Sequence, residues 1–299
     1  LVAQVALGVF ALAHRENAVI TTAHVGLGAL LLGGAWMLAI WAHRLTHVSH
    51  VQTTLRHRAT GGRIADYLTL AKPRVTAMAL RTTGAGFFLG APYDVDPWVL
   101  LATLVGAALV GGGANALNQW AERDVDALMP RTQSRPLPAG RLQPSEALVF
   151  GCVSASVGLA VLALGTTPVA CLLALATLLI YVGIYTPLKR RTPLNTLVGA
   201  VPGALPPLIG WAAARGELAL EAWVLFGVLF LWQLPHFLAI AWMYREEYAR
   251  AGLKMLPVVE PDGSSTARQM ILYGVALLPT SLLPTVVGLG AQPPDPLPR

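Results

Sequence analysis

The chain has 299 residues, of which 55% are hydrophobic and only 12% are charged. Soluble domains carry about 25% charged residues, so this composition excludes an ordinary soluble protein. The net charge of +6 does not indicate a nucleic-acid partner, because the basic residues concentrate in a few loops, as membrane topology requires. Apolar runs of about 20 residues, the length that crosses a bilayer, recur along the chain. The sequence therefore predicts an all-α, multi-pass membrane helix bundle embedded in the lipid bilayer.

Helices are predicted from the apolar runs and from the polar segments between them. Their predicted ranges are 1–13, 20–43, 69–91, 98–121, 145–164, 168–186, 194–213, 221–243 and 268–290. Basic loops follow every second helix, whereas the intervening loops are short or acidic. By the positive-inside rule the basic loops face the cytoplasm. This pattern predicts a bacterial-type inner-membrane protein whose main motifs all lie on the cytoplasmic side.

Residues 44–66 are polar and lack a sustained apolar period, which is typical of a linker. This predicted cytoplasmic linker divides the chain into two membrane modules, residues 1–43 with two helices and residues 67–299. The sequence starts within an apolar run without an initiator Met and stops just after a Pro-rich stretch. We therefore expect a fragment at both ends.

Asn118, Glu122 and Asp126 are spaced four residues apart where a long apolar segment ends. Each four-residue step turns about 40° around an α-helix, so these side chains form one stripe, whereas Asp124 is expected on another face. Oxygen ligands of this kind favour a hard cation such as Mg²⁺, shared with a phosphate ester. The alternative is a solvated helix end with ordinary charge pairs, for example between Arg123 and Asp126.

Two basic clusters accompany this stripe. Arg131 and Arg135 follow it directly, and they predict a diphosphate site because guanidinium groups donate paired hydrogen bonds to phosphate oxygens. Lys189 and Arg190 lie in another loop. They indicate either a second clamp on the diphosphate or a topology-setting loop that meets anionic lipid headgroups.

A third segment places Gln233 and His236 inside a predicted span. Polar side chains in a membrane helix are costly unless they face partners or a wet cavity, so both are functional candidates. A structural hydrogen bond between helices is the alternative interpretation. Glu247 follows His236 by 11 residues, which is about three helical turns and predicts that the two share a helix face.

Three ordered motifs between about residues 66 and 290 can be compared with known families. They are Asn118…Glu122…Asp126…Met129…Arg131-Thr132…Arg135-Pro136-Leu137, then Tyr185-Thr186-Pro187-Leu188-Lys189-Arg190, and then Trp232-Gln233-Leu234-Pro235-His236-Phe237…Glu247-Tyr248. Together with Lys72-Pro73-Arg74, this set resembles the protoheme IX farnesyltransferases (haem O synthases), a branch of the UbiA-type intramembrane prenyltransferases. The chain departs from the family at Glu247, where Asp is usual, and at Arg81, where an uncharged residue is expected.

The resemblance implies a UbiA-type bundle whose last two helices are missing after Pro298. It implies Mg²⁺-dependent transfer of a farnesyl group from farnesyl diphosphate to the vinyl group of protohaem IX, giving haem O. The catalytic residues it implies are Asn118, Glu122, Asp126, Lys189, Arg190 and Glu247, of which Asn118, Glu122, Asp126 and Glu247 would bind Mg²⁺. Substrate contacts are implied for Lys72, Arg74, Arg131, Arg135, Tyr185, Gln233, His236 and Tyr248, with His236 either a haem ligand or a contact to the porphyrin edge.

Residues 1–43 resemble the last two helices of haem A synthase, an enzyme that acts on the product of the farnesyl transfer. That resemblance implies a haem bound in the N-terminal module with His24 as an iron ligand, and a functional coupling of the two enzymes. A packed or interfacial histidine is the alternative interpretation of His24.

Two other functions are open on the sequence alone. The first is a prenyltransferase that acts on an aromatic quinone precursor, because such relatives share an Asn/Asp-rich first motif. The second is a membrane haem-binding protein without catalytic activity, in which His24 and His236 would be the ligands.

Overall fold

The computed structural model of the protein describes residues 62–91 and 95–289. Within these ranges the chain forms helices joined by turns, without a strand. Six stretches there are long and apolar enough to cross a membrane, which confirms the predicted all-α, multi-pass class. The predicted helices 1–13 and 20–43, most of the linker and His24 lie outside the described residues.

Residues 62–280 belong to one compact unit. Its helices are α1 (Arg63–Ala71), α2 (Pro73–Gly90), α3 (Pro97–Asp126), α4 (Pro144–Gly165), α5 (Pro168–Leu178), a π-helical segment (Leu179–Tyr185), α6 (Thr186–Leu188), α7 (Asn195–Ala204), α8 (Pro206–Arg215), α9 (Leu220–Met243), α10 (Arg245–Arg250), α11 (Leu256–Val259) and α12 (Ser264–Thr280). The short helix α13 (Leu283–Val286) belongs to a second unit.

Several of these helices begin with a proline in their first turn, among them α2, α3, α4, α5 and α8. Proline suits this position because its φ is already helical and the amide hydrogen it lacks would have no intrahelical partner. Asp96 caps α3, since its side chain accepts hydrogen bonds from the amides of Trp98 and Val99. These local signals explain why the predicted starts of the spans lie within a few residues of the observed ones.

The structure departs from the sequence prediction at four breaks. Residues 63–68, expected to lie in or next to the linker, are helical, and the chain breaks at Lys72 in the left-handed conformation (φ 46°). The predicted helix 168–186 contains the π-helical segment, and the predicted helix 194–213 is divided before Pro206. The third motif is also divided, because α9 ends at Met243 and Tyr244 (φ −106°, ψ 18°) separates it from α10. The continuous helix assumed between His236 and Glu247 is therefore wrong, because it is interrupted at Tyr244.

Helices α2 and α8 cross in close contact through small residues. A Cβ added to Gly210 would lie 1.9 Å from the carbonyl oxygen of Thr83, and one added to Gly86 would lie 2.0 Å from that of Pro207. Both contacts are to backbone, which cannot move aside as a flexible side chain can. The crossing therefore depends on the absence of side chains, as is common between membrane helices.

Candidate active site

The three sequence motifs meet at one end of the bundle, called here the motif end. The ammonium of Lys189 lies 2.8 Å from Glu122 Oε1. The amide of Lys254, just after α10, donates a hydrogen bond of 2.8 Å to the carbonyl of Lys189. Arg131 Nη2 donates to the hydroxyl of Tyr248 at 3.3 Å. Residues far apart in sequence are thus brought into one cluster.

The stripe predicted on α3 is buried. Asn118, Glu122 and Asp126 are 1%, 9% and 2% exposed. Asn118 Nδ2 donates to Glu122 Oε2 at 3.1 Å, as side chains four residues apart on one helix can. Asp126 does not pair with Arg123, the alternative considered above, because Arg135 Nη1 lies 2.6 Å from Asp126 Oδ2.

Arg123 instead contacts Asp124 at 3.7 Å on the outer side of α3. Asp124 is exposed, as the helical count predicts for a residue about half a turn away from the stripe. This outer pair gives the helix end an ordinary solvated face beside its buried one.

Lys189 faces the stripe from the loop after α6. Its ammonium also lies 4.6 Å from the centroid of the Tyr185 ring. Burial by itself lowers the pKa of Lys189, but Tyr185 and the carboxylate of Glu122 outweigh it and raise the pKa above its usual value. Lys189 is therefore an ammonium at neutral pH.

Lys72 reaches the stripe from the break between α1 and α2. Its Nζ lies 3.4 Å from Asn118 Oδ1. Burial, helped by the positive charges of Arg135 and Lys189, lowers the pKa of Lys72 to about 7. A left-handed backbone at a lysine costs roughly 1–2 kcal/mol, and such strain is often found at functional sites.

Two buried amides that sequence reasoning missed hold this break against α3. Gln119 Nε2 donates to the carbonyl of Leu70 at 2.8 Å, and Asn115 Nδ2 donates to the hydroxyl of Thr76 at 3.3 Å. Their signal was available in the sequence, because both are polar residues within a long apolar run and flank Asn118.

Two aromatic rings from the third motif surround Arg131. Its guanidinium carbon lies 4.6 Å from the centroid of Tyr244 and 5.9 Å from that of Tyr248. Burial raises the pKa of Tyr248, although Arg131 opposes this shift. The loop after α3 is thus fastened to α10.

Glu247 lies next to Tyr248 and is half-buried. Its Oε2 is a buried atom without a hydrogen-bond partner among the described residues. A buried carboxylate oxygen left without a donor is costly, and a bound cation would satisfy it.

The remaining predicted site residues make other contacts or are exposed. Gln233 Nε2 donates to the carbonyl of Ala200 at 2.6 Å, which agrees with a hydrogen bond between helices. His236 stacks on Trp232 with ring centroids 5.5 Å apart. Arg74 and Arg190 are exposed, as is Arg81.

The donor set at the motif end fits Mg²⁺ shared with a phosphate. Among the described residues no three His, Cys, Asp or Glu side chains are grouped closely enough to hold a metal ion by themselves. Mg²⁺ usually needs only one or two carboxylates, with phosphate and water oxygens completing its shell. Glu122, Asp126 and the amide of Asn118 supply hard oxygen atoms, and the unpartnered Oε2 of Glu247 supplies another.

Comparison with known proteins shows which family the chain belongs to. The UbiA prenyltransferase family matches residues 79–294. Protoheme IX farnesyltransferase of Solibacter usitatus (strain Ellin6076) is 50% identical over 236 residues, which cover 76% of this chain and 81% of the relative. The protein of the same name from Salinibacter ruber (strain DSM 13855 / M31) is 47% identical over 235 residues, covering 76% of this chain and 83% of the relative.

A solved structure has the same fold. It is a UbiA homolog from Archaeoglobus fulgidus bound to DMAPP and Mg2+, with a TM-score of 0.56 and 18% sequence identity, covering 78% of this chain and 90% of that chain. At this identity the likeness bears on the fold alone. The chain therefore has the helical fold of the UbiA homologs.

Proposed function

Because the chain belongs to the UbiA prenyltransferase family and is a membrane prenyltransferase, we propose that it transfers a farnesyl group from farnesyl diphosphate to a vinyl group of protohaem IX, giving haem O. The identity of 50% with a protoheme IX farnesyltransferase over most of both chains supports this choice of substrates. The observation that carries the proposal is the buried cluster in which two carboxylates and an amide on α3 meet basic side chains from three other segments.

The cations of the cluster would bind the diphosphate. Arg135 uses Nη1 for Asp126, and a guanidinium has further N–H donors for phosphate oxygens. Two further basic groups lie beside the stripe, Lys72 next to Asn118 and Lys189 next to Glu122. Fixed donors of this kind stabilise the negative charge that develops on a leaving diphosphate.

Mg²⁺ would be held by Asn118, Glu122 and Asp126, with Glu247 holding a second ion, and it would neutralise diphosphate oxygens as a Lewis acid. In the structure Glu122 pairs with Lys189 at 2.8 Å and Asp126 pairs with Arg135 at 2.6 Å. A bound Mg²⁺ would therefore share these carboxylates with the two cations.

The reaction would start with cleavage of the bond between farnesyl C1 and the diphosphate oxygen, which leaves with the electron pair. The π electrons of the haem vinyl group would then form the new carbon–carbon bond to C1. Water would add to the resulting cation and lose a proton, giving the hydroxyethyl farnesyl group. The apolar walls of the bundle would exclude water until the carbon–carbon bond has formed.

Two carboxylates on the same helix end provide a matched test. Asp126→Asn removes the charge of a buried carboxylate, and Asp124→Asn removes that of an exposed one. In membranes supplied with farnesyl diphosphate, protohaem and Mg²⁺, we expect haem O formation to fall by about 10²–10³-fold in Asp126→Asn, as for loss of one electrostatic partner of a leaving group. Asp124→Asn should retain nearly normal activity. Normal turnover by well-expressed Asp126→Asn would overturn the proposal.

The acceptor is tested separately from the donor. Radiolabelled farnesyl diphosphate is offered with protohaem in one reaction and with a hydroxybenzoate in the other. We expect the label to appear only in a haem product. Label in the aromatic acid would mean that the acceptor is a quinone precursor and not protohaem.

The proposal also places the motif end in the cytoplasm of a bacterial-type inner membrane. Its support is the concentration of exposed basic residues in the loops at this end, Arg190 and Arg191 among them. Arg190→Cys, in a background without the natural cysteines, should react with an impermeant maleimide only after the cells are permeabilised. Labelling of intact spheroplasts would mean that the motif end faces away from the cytoplasm.

A further inference from the structure

Thr186 links the π-helical segment to the predicted metal ligand Asn118. Both its amide and its hydroxyl donate to one carbonyl oxygen, that of Tyr181, the hydroxyl at 2.8 Å. Thr186 is 6% exposed. Because a hydroxyl has a single proton, this bond leaves its oxygen only as an acceptor. The acceptor is used, since Asn118 Nδ2 lies 3.0 Å away.

This arrangement decides which way the Asn118 amide points. Its nitrogen has two protons, and one goes to Thr186 while the other goes to Glu122 Oε2 at 3.1 Å. The oxygen Oδ1 is therefore on the opposite side, 3.4 Å from the ammonium of Lys72. In the reversed amide, oxygen would face the Glu122 carboxylate, and Thr186 would have to turn its proton away from Tyr181.

The π-helical segment explains why Thr186 can reach Asn118. A π turn holds one residue more than an α turn, and each residue corresponds to about 100° of rotation around a helix. Without the extra residue, Thr186 would be rotated by roughly that angle away from α3. The π turn thus places Thr186 where its hydroxyl can orient the Asn118 amide.

We propose that Thr186 is a positioning residue that fixes Asn118 so that Oδ1 is held on the side of Lys72, where it would act as a ligand at the diphosphate site. The inference rests on the proposed function, in which Asn118 binds Mg²⁺ and diphosphate. Thr186 would act only through Asn118, without contact to the substrate. A valine at this position keeps the shape of the side chain but supplies neither the donor nor the acceptor.

The experiment compares binding without turnover. Purified full-length protein is titrated with farnesyl thiolodiphosphate at fixed Mg²⁺, and the shift of the thermal unfolding midpoint gives the affinity. The variants are Thr186→Val, Thr186→Ser, Asn118→Ala and the double variant Thr186→Val/Asn118→Ala. The matched control is Thr177→Val. The hydroxyl of Thr177 also donates to a backbone carbonyl, that of Leu173 at 2.8 Å, but Thr177 lies in α5, before the π-helical segment.

We expect Thr186→Val to bind the analogue about tenfold more weakly, which corresponds to roughly 1.4 kcal/mol. Thr186→Ser and Thr177→Val should bind as the unsubstituted protein does. The double variant should be no weaker than Asn118→Ala, since a residue that acts through a partner loses its effect when the partner is removed.

The possible failures are distinguishable. Normal binding by Asn118→Ala would overturn the proposed role of Asn118 in the diphosphate site. Weak binding by Asn118→Ala together with normal binding by Thr186→Val would overturn the role of Thr186 alone, as would additive losses in the double variant. If Thr186→Val does not fold, Thr186→Ala takes its place in the same comparison with Asn118→Ala and the double variant.

Discussion

The motif end and the α2–α8 crossing bury their contacts by opposite means. At the motif end buried charged and polar side chains pair with one another, as Glu122 does with Lys189, while Oε2 of Glu247 is left without a partner among the described residues. At the crossing, backbone meets backbone because Gly86 and Gly210 have no side chains. The first region depends on the balance of charges and the second on shape. Substitutions in the two regions should therefore separate activity from stability.

The largest expected effect comes from the Glu122–Lys189 pair. Removing one partner leaves the other charge buried and unpaired, which typically costs about 3–5 kcal/mol, so Glu122→Gln and Lys189→Met should each lower the unfolding midpoint. Turnover should fall by about 10²–10³-fold in both. The double variant Glu122→Gln/Lys189→Met should recover most of the stability and none of the activity.

Thermal unfolding and haem O formation, measured on the same preparations, check this prediction. Recovery of turnover in the double variant would mean that the pair serves only to hold the helices together. The contrast between the two regions would then be lost.

A smaller effect is expected at the crossing. Gly210→Ala places a Cβ where the Thr83 carbonyl lies, and overpacking of this kind costs about 1–3 kcal/mol. Gly274→Ala is the matched control, because a Cβ added to this glycine of α12 has nothing within 4 Å. The midpoint should fall for Gly210→Ala and stay level or rise for Gly274→Ala.

Turnover per folded molecule should stay close to normal in both glycine variants. That measurement is the sharper one, since a specific loss of turnover in Gly210→Ala would show that the crossing shapes the site as well as the fold.

The spans and the stripe could be predicted because they follow from local rules. Apolar runs mark the membrane helices, and the four-residue spacing of Asn118, Glu122 and Asp126 places them on one face whatever surrounds them. The partners of the stripe could not be predicted in this way. Nothing local distinguishes Arg135, which pairs with Asp126, from Arg131, which contacts the tyrosines of the third motif.

The breaks in the helices were not predicted from the sequence either. Lys72 precedes Pro73, which disfavours the α-helical conformation at Lys72, but this signal does not foretell the left-handed conformation that the residue adopts. Tyr244 carries no strong signal for ending a helix. The π turn at Leu179–Tyr185 lies in an apolar run that fits an α-helix equally well. The breaks at Lys72, at Tyr244 and at the end of the π turn lie beside residues of the motif end, where local preference and the geometry of the site disagree.

Lys72 combines a left-handed backbone with a basic side chain that contacts the stripe at Asn118. Lys72→Ala and Lys72→Gly both remove the charge and differ by a single Cβ. Glycine adopts the left-handed conformation without the steric penalty, so Lys72→Gly should be more stable than Lys72→Ala by about 1 kcal/mol. Both should bind the diphosphate analogue equally and more weakly than the unsubstituted protein. Unfolding midpoints and analogue titrations on the pair check this, and equal stabilities would mean that the chain leaves the left-handed conformation once the ammonium is gone.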